Sequence, residues 1–178
     1  LIAHVRGVKD NAAALDRIRS SLGAYGLWKD EWTSRLSCVI GDLSKPNLGV
    51  DEASWQMLGR EVDMVIHNGA TVHWVKGYKD MMTANVMSTI DAMALCNEGK
   101  PKTFTFVSST SVLDTDHYIK LSDTQTSSGQ GAVYESDDML GSRRGLGTGY
   151  GQTKWVSEQL AREAGKRGLS GSVVRPGY

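Results

Sequence analysis

The sequence predicts an α/β fold built on a doubly wound parallel sheet. Two observations carry this expectation. Five short apolar runs alternate along the chain with longer segments of helical period, and such alternation gives a parallel sheet covered on both faces. Residues able to do chemistry fall just past those runs: Arg6, Asp42, Asn68-Gly69-Ala70, Ser109 and Pro176-Gly177. Ligands of such sheets sit beyond the carboxyl ends of the strands, so these exits are expected to face one crevice.

Leu1-Ile2-Ala3-His4-Val5 reads as the first strand. Residues 10–22 follow as a helix, with Ala12, Leu15, Ile18 and Leu22 near helical spacing and Gly23 as its stop. A polar connection holding Trp28 and Trp32 leads to a second strand, Leu36-Ser37-Cys38-Val39-Ile40, which closes in the turn Gly41-Asp42-Leu43. Residues 44–49 read as loop. Residues 51–60 form a short helix capped by Asp51, with Trp55 and Leu58 on one side. The third strand covers 62–67, and Asn68-Gly69-Ala70 is its exit turn. A long helix over 78–97 ends at Gly99-Lys100-Pro101. Phe104-Thr105-Phe106-Val107 is the fourth strand and runs into Ser108-Ser109-Thr110-Ser111. From 114 to 147 the chain turns polar, and a connection of that length reads as a functional loop or mobile lid. A helix opening near Gly151 carries Lys154, Trp155, Leu160 and Ala164 to Gly165 or Gly168, and Ser172-Val173-Val174 is a fifth strand.

The 178 residues suit one domain with a sizeable core. They begin without Met inside an apolar run and stop just past a strand, so the chain is expected to be part of a longer polypeptide, with 1–178 a partial domain. Lys plus Arg and Asp plus Glu balance at 20 each, leaving no basic field to draw nucleic acid and no polybasic run for a membrane surface. The two cysteines, Cys38 and Cys96, lack metal-ligand spacing, no metal is expected, and Cys38 falls in a strand run where a buried thiol is ordinary. A reducing, cytoplasmic setting is the expectation. No apolar stretch reaches the roughly 18 residues of a membrane span, and the opening run is too short for a signal peptide.

Tyr150 and Lys154 lie four apart, which stacks them on one helical face. A tyrosine of free pKa about 10 becomes a useful proton donor and acceptor once a neighbouring cation favours its phenolate. A hydroxyl alongside would complete a proton-handling site, and Ser108, Ser109 and Thr110 are the candidates. In a strand only alternate side chains face one side, so Ser109 and Thr110 cannot both do so if the strand extends that far. The competing readings are a solvated Tyr/Lys edge and a Ser-rich strand end making turn bonds. His67 and His73 are read as structural. The tryptophans are read as packing, apart from Trp74, a candidate substrate wall.

Gly41-Asp42-Leu43, His67-Asn68-Gly69-Ala70, Val107-Ser108-Ser109, Tyr150-Gly151-Gln152-Thr153-Lys154 and Arg175-Pro176-Gly177-Tyr178 occur in an order that resembles the extended short-chain dehydrogenase/reductase family. More narrowly, the chain resembles the thioester reductase domains of carboxylic acid reductases, some nonribosomal peptide synthetases and the fungal α-aminoadipate reductases. The runs His67-Asn68-Gly69-Ala70-Thr71-Val72-His73-Trp74 and Ser108-Ser109-Thr110-Ser111-Val112-Leu113-Asp114-Thr115 are most similar to the last group. The resemblance implies a Rossmann-like fold that is incomplete here: its first strand and Gly-rich phosphate loop should precede Leu1. The isolated chain is therefore expected to be inactive.

The resemblance also implies roles. Tyr150 would donate a proton as hydride arrives, Lys154 would lower its pKa and bond the nicotinamide ribose, and Ser109, three before Val112, would polarise the carbonyl. Arg6 would accommodate a 2′-phosphate, which favours NADPH. Asp42 and Leu43 would border the adenine, Asn68, Gly69 and Ala70 would let the backbone approach the cofactor, and Pro176 and Gly177 would line the nicotinamide side. The implied reaction is NADPH-dependent reductive release of a carrier-bound acyl thioester as an aldehyde, here α-aminoadipate to its semialdehyde in lysine biosynthesis. A phosphopantetheine carrier domain in the same polypeptide and an ATP-using adenylation domain upstream are implied with it, and the pantetheine arm would dock at 114–147. The alternatives are a nucleotide-sugar epimerase or dehydratase retaining NAD, against which Arg6 speaks, and an NADP-binding module without turnover.

Overall fold

A computed structural model describes residues 1–129 and 133–176 and builds them around parallel strands. β1 (Ile2–Val5) pairs with β2 (Ser37–Ile40), with Val5 opposite Ile40. β3 (Met64–His67), β4 (Thr103–Val107) and β5 (Gly171–Val174) form a second sheet in that order, aligning Ile66, Thr105 and Ser172. The expected single sheet is thus divided, since β1 and β3 are not paired among the described residues. A sheet of order 3-2-1-4-5-6 places its first strand at that point, in accord with an incomplete Rossmann-like fold. One face of β3 is bare: Met64 and Ile66 are 51% and 59% exposed, while Val65 packs against the core.

The helices form where caps and apolar spacing coincide. Asp10 caps α1 (Asn11–Ala24) by accepting from the Ala13 N–H at 2.8 Å, and Asp51 caps α2 (Glu52–Glu61) through the Ser54 N–H at 2.7 Å. α1 covers β1 and β2 through Ala14 against Val5 and Cys38. The main core lies on the other side, where Trp55 and Leu58 of α2 pack with Phe104 and Phe106 of β4 and with Ala92, Leu95 and Cys96. Those last three come from α4 (Ser88–Asn97), which continues α3 (Tyr78–Met82) through a π-helical turn, Thr83–Met87. Both cysteines are buried free thiols. Among the described residues no helix is long and apolar enough to cross a membrane.

The polar stretch 114–147 departs from expectation. It contains α5 (Asp116–Ser128), and a 3₁₀ turn at Leu140–Ser142 follows. Ser and Thr favour turns because their side chains compete for backbone groups, and here that chemistry is turned inward. The Thr124, Thr126, Ser127 and Ser128 hydroxyls donate to carbonyls four residues back, at 2.7 to 3.0 Å. Tyr118 and Met139 bury against Val112, and the Trp155 indole N–H donates to the Met139 carbonyl at 2.8 Å. The described part of the segment is therefore packed onto the body and not a free lid.

Candidate active site

β4 ends at Val107 and the chain tightens into a 3₁₀ turn, Thr110–Leu113. Ser109 caps that turn: its Oγ accepts from the Ser111 N–H at 3.1 Å and the Ser111 hydroxyl at 2.9 Å. With its lone pairs so engaged, what Ser109 can offer a neighbour is its own O–H. Since the strand has ended, alternation no longer separates Ser109 from Thr110, and both border the same cavity. Ser108 also borders the cavity, but it is buried and its hydroxyl is given to Glu158 Oε2 at 2.9 Å.

α6 (Gly149–Lys166) opens two residues earlier than its sequence suggests, because Thr148 caps it by accepting from the Gly151 N–H at 3.1 Å. Gly149 allows this, since a Cβ there would sit 2.5 Å from the Lys76 carbonyl oxygen. The helix brings Tyr150 and Lys154 together, with the Lys154 Nζ 5.9 Å from the Tyr150 ring centre and 4.8 Å from that of Phe106. Lys154 is 3% exposed and donates to the Val107 carbonyl at 2.6 Å. Burial pushes its ammonium down to about 8.

These groups border a cavity of about 360 Å³ together with Asn68, Ala70 and Pro176. Of the predicted residues, Ser109, Tyr150, Lys154, Asn68, Ala70 and Pro176 therefore converge, and Gly177 lies outside the described residues. Gly69 turns toward Leu43, where a Cβ would come within 2.6 Å of the Leu43 Cδ1. Arg6, Asp42 and Leu43 do not border the cavity. They sit beside it: hydrogen bonds from the Ser44 N–H and hydroxyl, reinforced by the charges of Arg6 and Lys45, hold the Asp42 carboxyl below its usual range. Arg6, Asp42 and Leu43, at the exits of β1 and β2, thus lie outside the cavity that Ser109, Tyr150 and Lys154 border.

His67 is structural, as expected. It stacks near Phe106 with ring centres 6.0 Å apart, and its Nε2 meets the Ser88 Oγ at 3.2 Å. Ser88 gives its own proton to the Ala84 carbonyl at 2.7 Å, so Nε2 carries the hydrogen. Burial, with the charge of Lys154 and then His4, pushes His67 down to about 4 and keeps it neutral. Trp74 stands 85% exposed, while Val72 of the same loop borders the cavity. Two residues bearing on the site were not singled out in the sequence, Asn85 and Glu158, and Arg175 was quoted there only as part of a motif. Glu158 had a legible signal, lying four after Lys154 as Lys154 lies four after Tyr150. Asn85 had none, since it sits within the π-helical turn.

The family model described as Male sterility protein, an NAD-binding family, matches residues 1–178. The L-2-aminoadipate reductase large subunit of Candida glabrata is 54% identical over 178 residues, covering 100% of this chain and 13% of that protein. The nonribosomal peptide synthetase atnA of Emericella nidulans is 31% identical over 197 residues, covering 99% of this chain and 2% of its own length. Among solved structures, the terminal R domain from the myxalamid PKS-NRPS biosynthetic pathway matches with a TM-score of 0.86 and 34% identity, over 99% of this chain and 42% of that one. The chain thus spans a small part of the curated relatives it matches. It belongs to the Male sterility protein NAD-binding family, and within it is similar to the thioester reductase domains of fungal L-2-aminoadipate reductases.

Proposed function

We propose that this chain is the catalytic part of an NADPH-dependent thioester reductase that releases a carrier-bound acyl group as an aldehyde, with the α-aminoadipyl thioester as substrate. The observation that carries this reading is the convergence of Ser109, Tyr150 and Lys154 on one cavity bordered by Asn68 and Ala70. A nicotinamide cofactor fits the residues present, because Asn68, Ser109, Tyr150 and the buried Lys154 ammonium offer polar groups around one cavity. When bound, it supplies the hydride.

The chain's own residues handle the oxygen. Tyr150 donates a proton to the thioester carbonyl oxygen, and the Ser109 O–H donates a hydrogen bond to it. The Lys154 charge, held near the phenol ring, favours the phenolate left behind. The C–S bond of the hemithioacetal then breaks, and the sulfur leaves with a proton as the free thiol. By analogy with the peptide synthetase and aminoadipate reductase relatives, a phosphopantetheine carrier domain and an ATP-using adenylation domain belong to the same polypeptide, which acts in the cytoplasm in lysine biosynthesis.

The test uses the complete reductase polypeptide containing this chain, with an aminoadipyl-loaded carrier and NADPH oxidation as the readout. Semialdehyde should form, and Tyr150→Phe should cost about 10²- to 10⁴-fold in kcat. NADPH binding without turnover would sink the reading and leave a sugar-nucleotide enzyme or a binding module without turnover.

A further inference from the structure

Below the cavity, a carboxylate that none of these roles uses joins three elements. Glu158 is fully buried in the middle of α6, one turn beyond Lys154. Its Oε2 accepts from the Ser108 hydroxyl at 2.9 Å and from the Arg175 Nε at 3.1 Å, and a terminal guanidinium nitrogen of Arg175 donates to Oε1. Arg162 approaches Oε1 at 3.4 Å from the same helix. Residues on either side repeat the connection. The Ser108 N–H donates to the Val174 carbonyl at 2.7 Å, and Lys154 donates to the Val107 carbonyl at 2.6 Å.

Each bonded residue borders the cavity or abuts one that does. Ser108 lines it beside Ser109, Arg175 precedes Pro176, and Glu158 shares a helix face with Lys154 and Tyr150. A bidentate guanidinium–carboxylate pair is directional as well as strong, and burial sharpens it. If the hydroxyl and the phenol must meet one carbonyl oxygen, their spacing is set where β4 and α6 are fastened. A misplacement on the order of 1 Å can cost about a hundredfold in rate.

We propose that Glu158 is a positioning residue: with Ser108 and Arg175 it clamps the ends of β4 and β5 to α6 and thereby sets the distance between Ser109 and the Tyr150/Lys154 pair. It touches neither substrate nor cofactor. The proposal rests on the thioester-reductase reading for the reaction it serves.

The test compares Ser108→Ala, which removes one hydroxyl, with Glu158→Gln in the complete reductase polypeptide. Two quantities are measured: kcat per NADPH-binding site, and the titration midpoint of Lys154 followed by the Cε shift in ¹³C-lysine-labelled protein. Counting per binding site removes any misfolded fraction. Both variants should lose roughly ten- to a hundredfold in kcat while the NADPH Kd changes little. In both, the Lys154 midpoint should rise from about 8 toward the ordinary lysine range, as water reaches a loosened ammonium. Wild-type kcat per site together with an unmoved midpoint would overturn the clamp and leave an ordinary structural ion pair. If the unmodified protein shows no turnover, the functional reading fails, and the Lys154 midpoint alone decides whether the clamp exists.

Discussion

Asn85 takes both backbone groups of Thr71: its Oδ1 accepts the Thr71 N–H at 2.7 Å, and its Nδ2 donates to the Thr71 carbonyl at 3.0 Å. The same Nδ2 donates to Thr153 Oγ1 at 3.0 Å, one residue before Lys154. One buried amide thus fastens the turn after β3 to the helix that carries the phenol. The π-helical geometry assists, because the Asn85 carbonyl takes the Thr89 and Ser157 hydroxyls at 2.7 and 3.1 Å. Such one-turn insertions recur at functional sites because they redirect a side chain out of the helical register.

Asn85→Leu keeps the volume and leaves the Thr71 N–H and carbonyl without their partner. The expected cost is about 2 to 6 kcal/mol, as two backbone groups lose their bonds at about 1 to 3 kcal/mol each. NADPH affinity should fall with it, by roughly tenfold, because the 68–71 turn loses its anchor. Urea denaturation and a fluorescence titration with NADPH measure the two effects. A variant equal to wild type in both would mean that the turn holds itself.

Much of this was legible in the sequence, and the misses have physical causes. The strand exits and the Tyr150/Lys154 spacing depend on short-range periodicity, which a sequence displays directly. Which of Ser108, Ser109 and Thr110 can face the cavity depends on where β4 gives way to the 3₁₀ turn, and alternation along the sequence does not show that point. α5 was hidden because its Ser and Thr hydroxyls bond within the helix, against the residue types' usual preference. The place of Arg6 and Asp42 outside the cavity depends on how the strands are arranged, a property of the sheet and not of either strand. Asn85 and Arg175 act across long loops of chain, joining residues far apart in sequence.

His67 makes stability depend on pH in a predictable direction. In the unfolded chain its imidazole takes a proton near pH 6.5, whereas in the folded protein it does so only near 4. Between those values the unfolded state binds more protons, so stability falls as pH is lowered through the window, by up to about 3 kcal/mol for the full interval. His67→Gln removes this component. Denaturation of the complete domain at about pH 7 and about pH 4.5 should show wild type losing more stability on acidification than the variant. Parallel losses would mean that the buried imidazole takes up its proton without cost.

Arg6 should decide between the two nicotinamide dinucleotides. It is exposed just past β1, and the helix behind holds its backbone in place, since Arg17 donates to the Arg6 carbonyl at 2.6 Å and to that of Gly7 at 3.1 Å. Its charge and that of Lys45 both act on Asp42, so two cations gather beside the residue expected at the adenine. A 2′-phosphate entering there would gain charge-assisted hydrogen bonds, whereas the ribose hydroxyl of NADH would gain little. Arg6→Glu should therefore raise the Kd for NADPH by roughly ten- to a hundredfold, the equivalent of about 1.5 to 3 kcal/mol for a bond to a charged group, and leave that for NADH nearly unchanged. Added salt should erode the wild-type preference by screening an exposed contact. Equal weakening of both dinucleotides would instead assign Arg6 to the fold of the β1 exit, and with it the expectation of NADPH would fall.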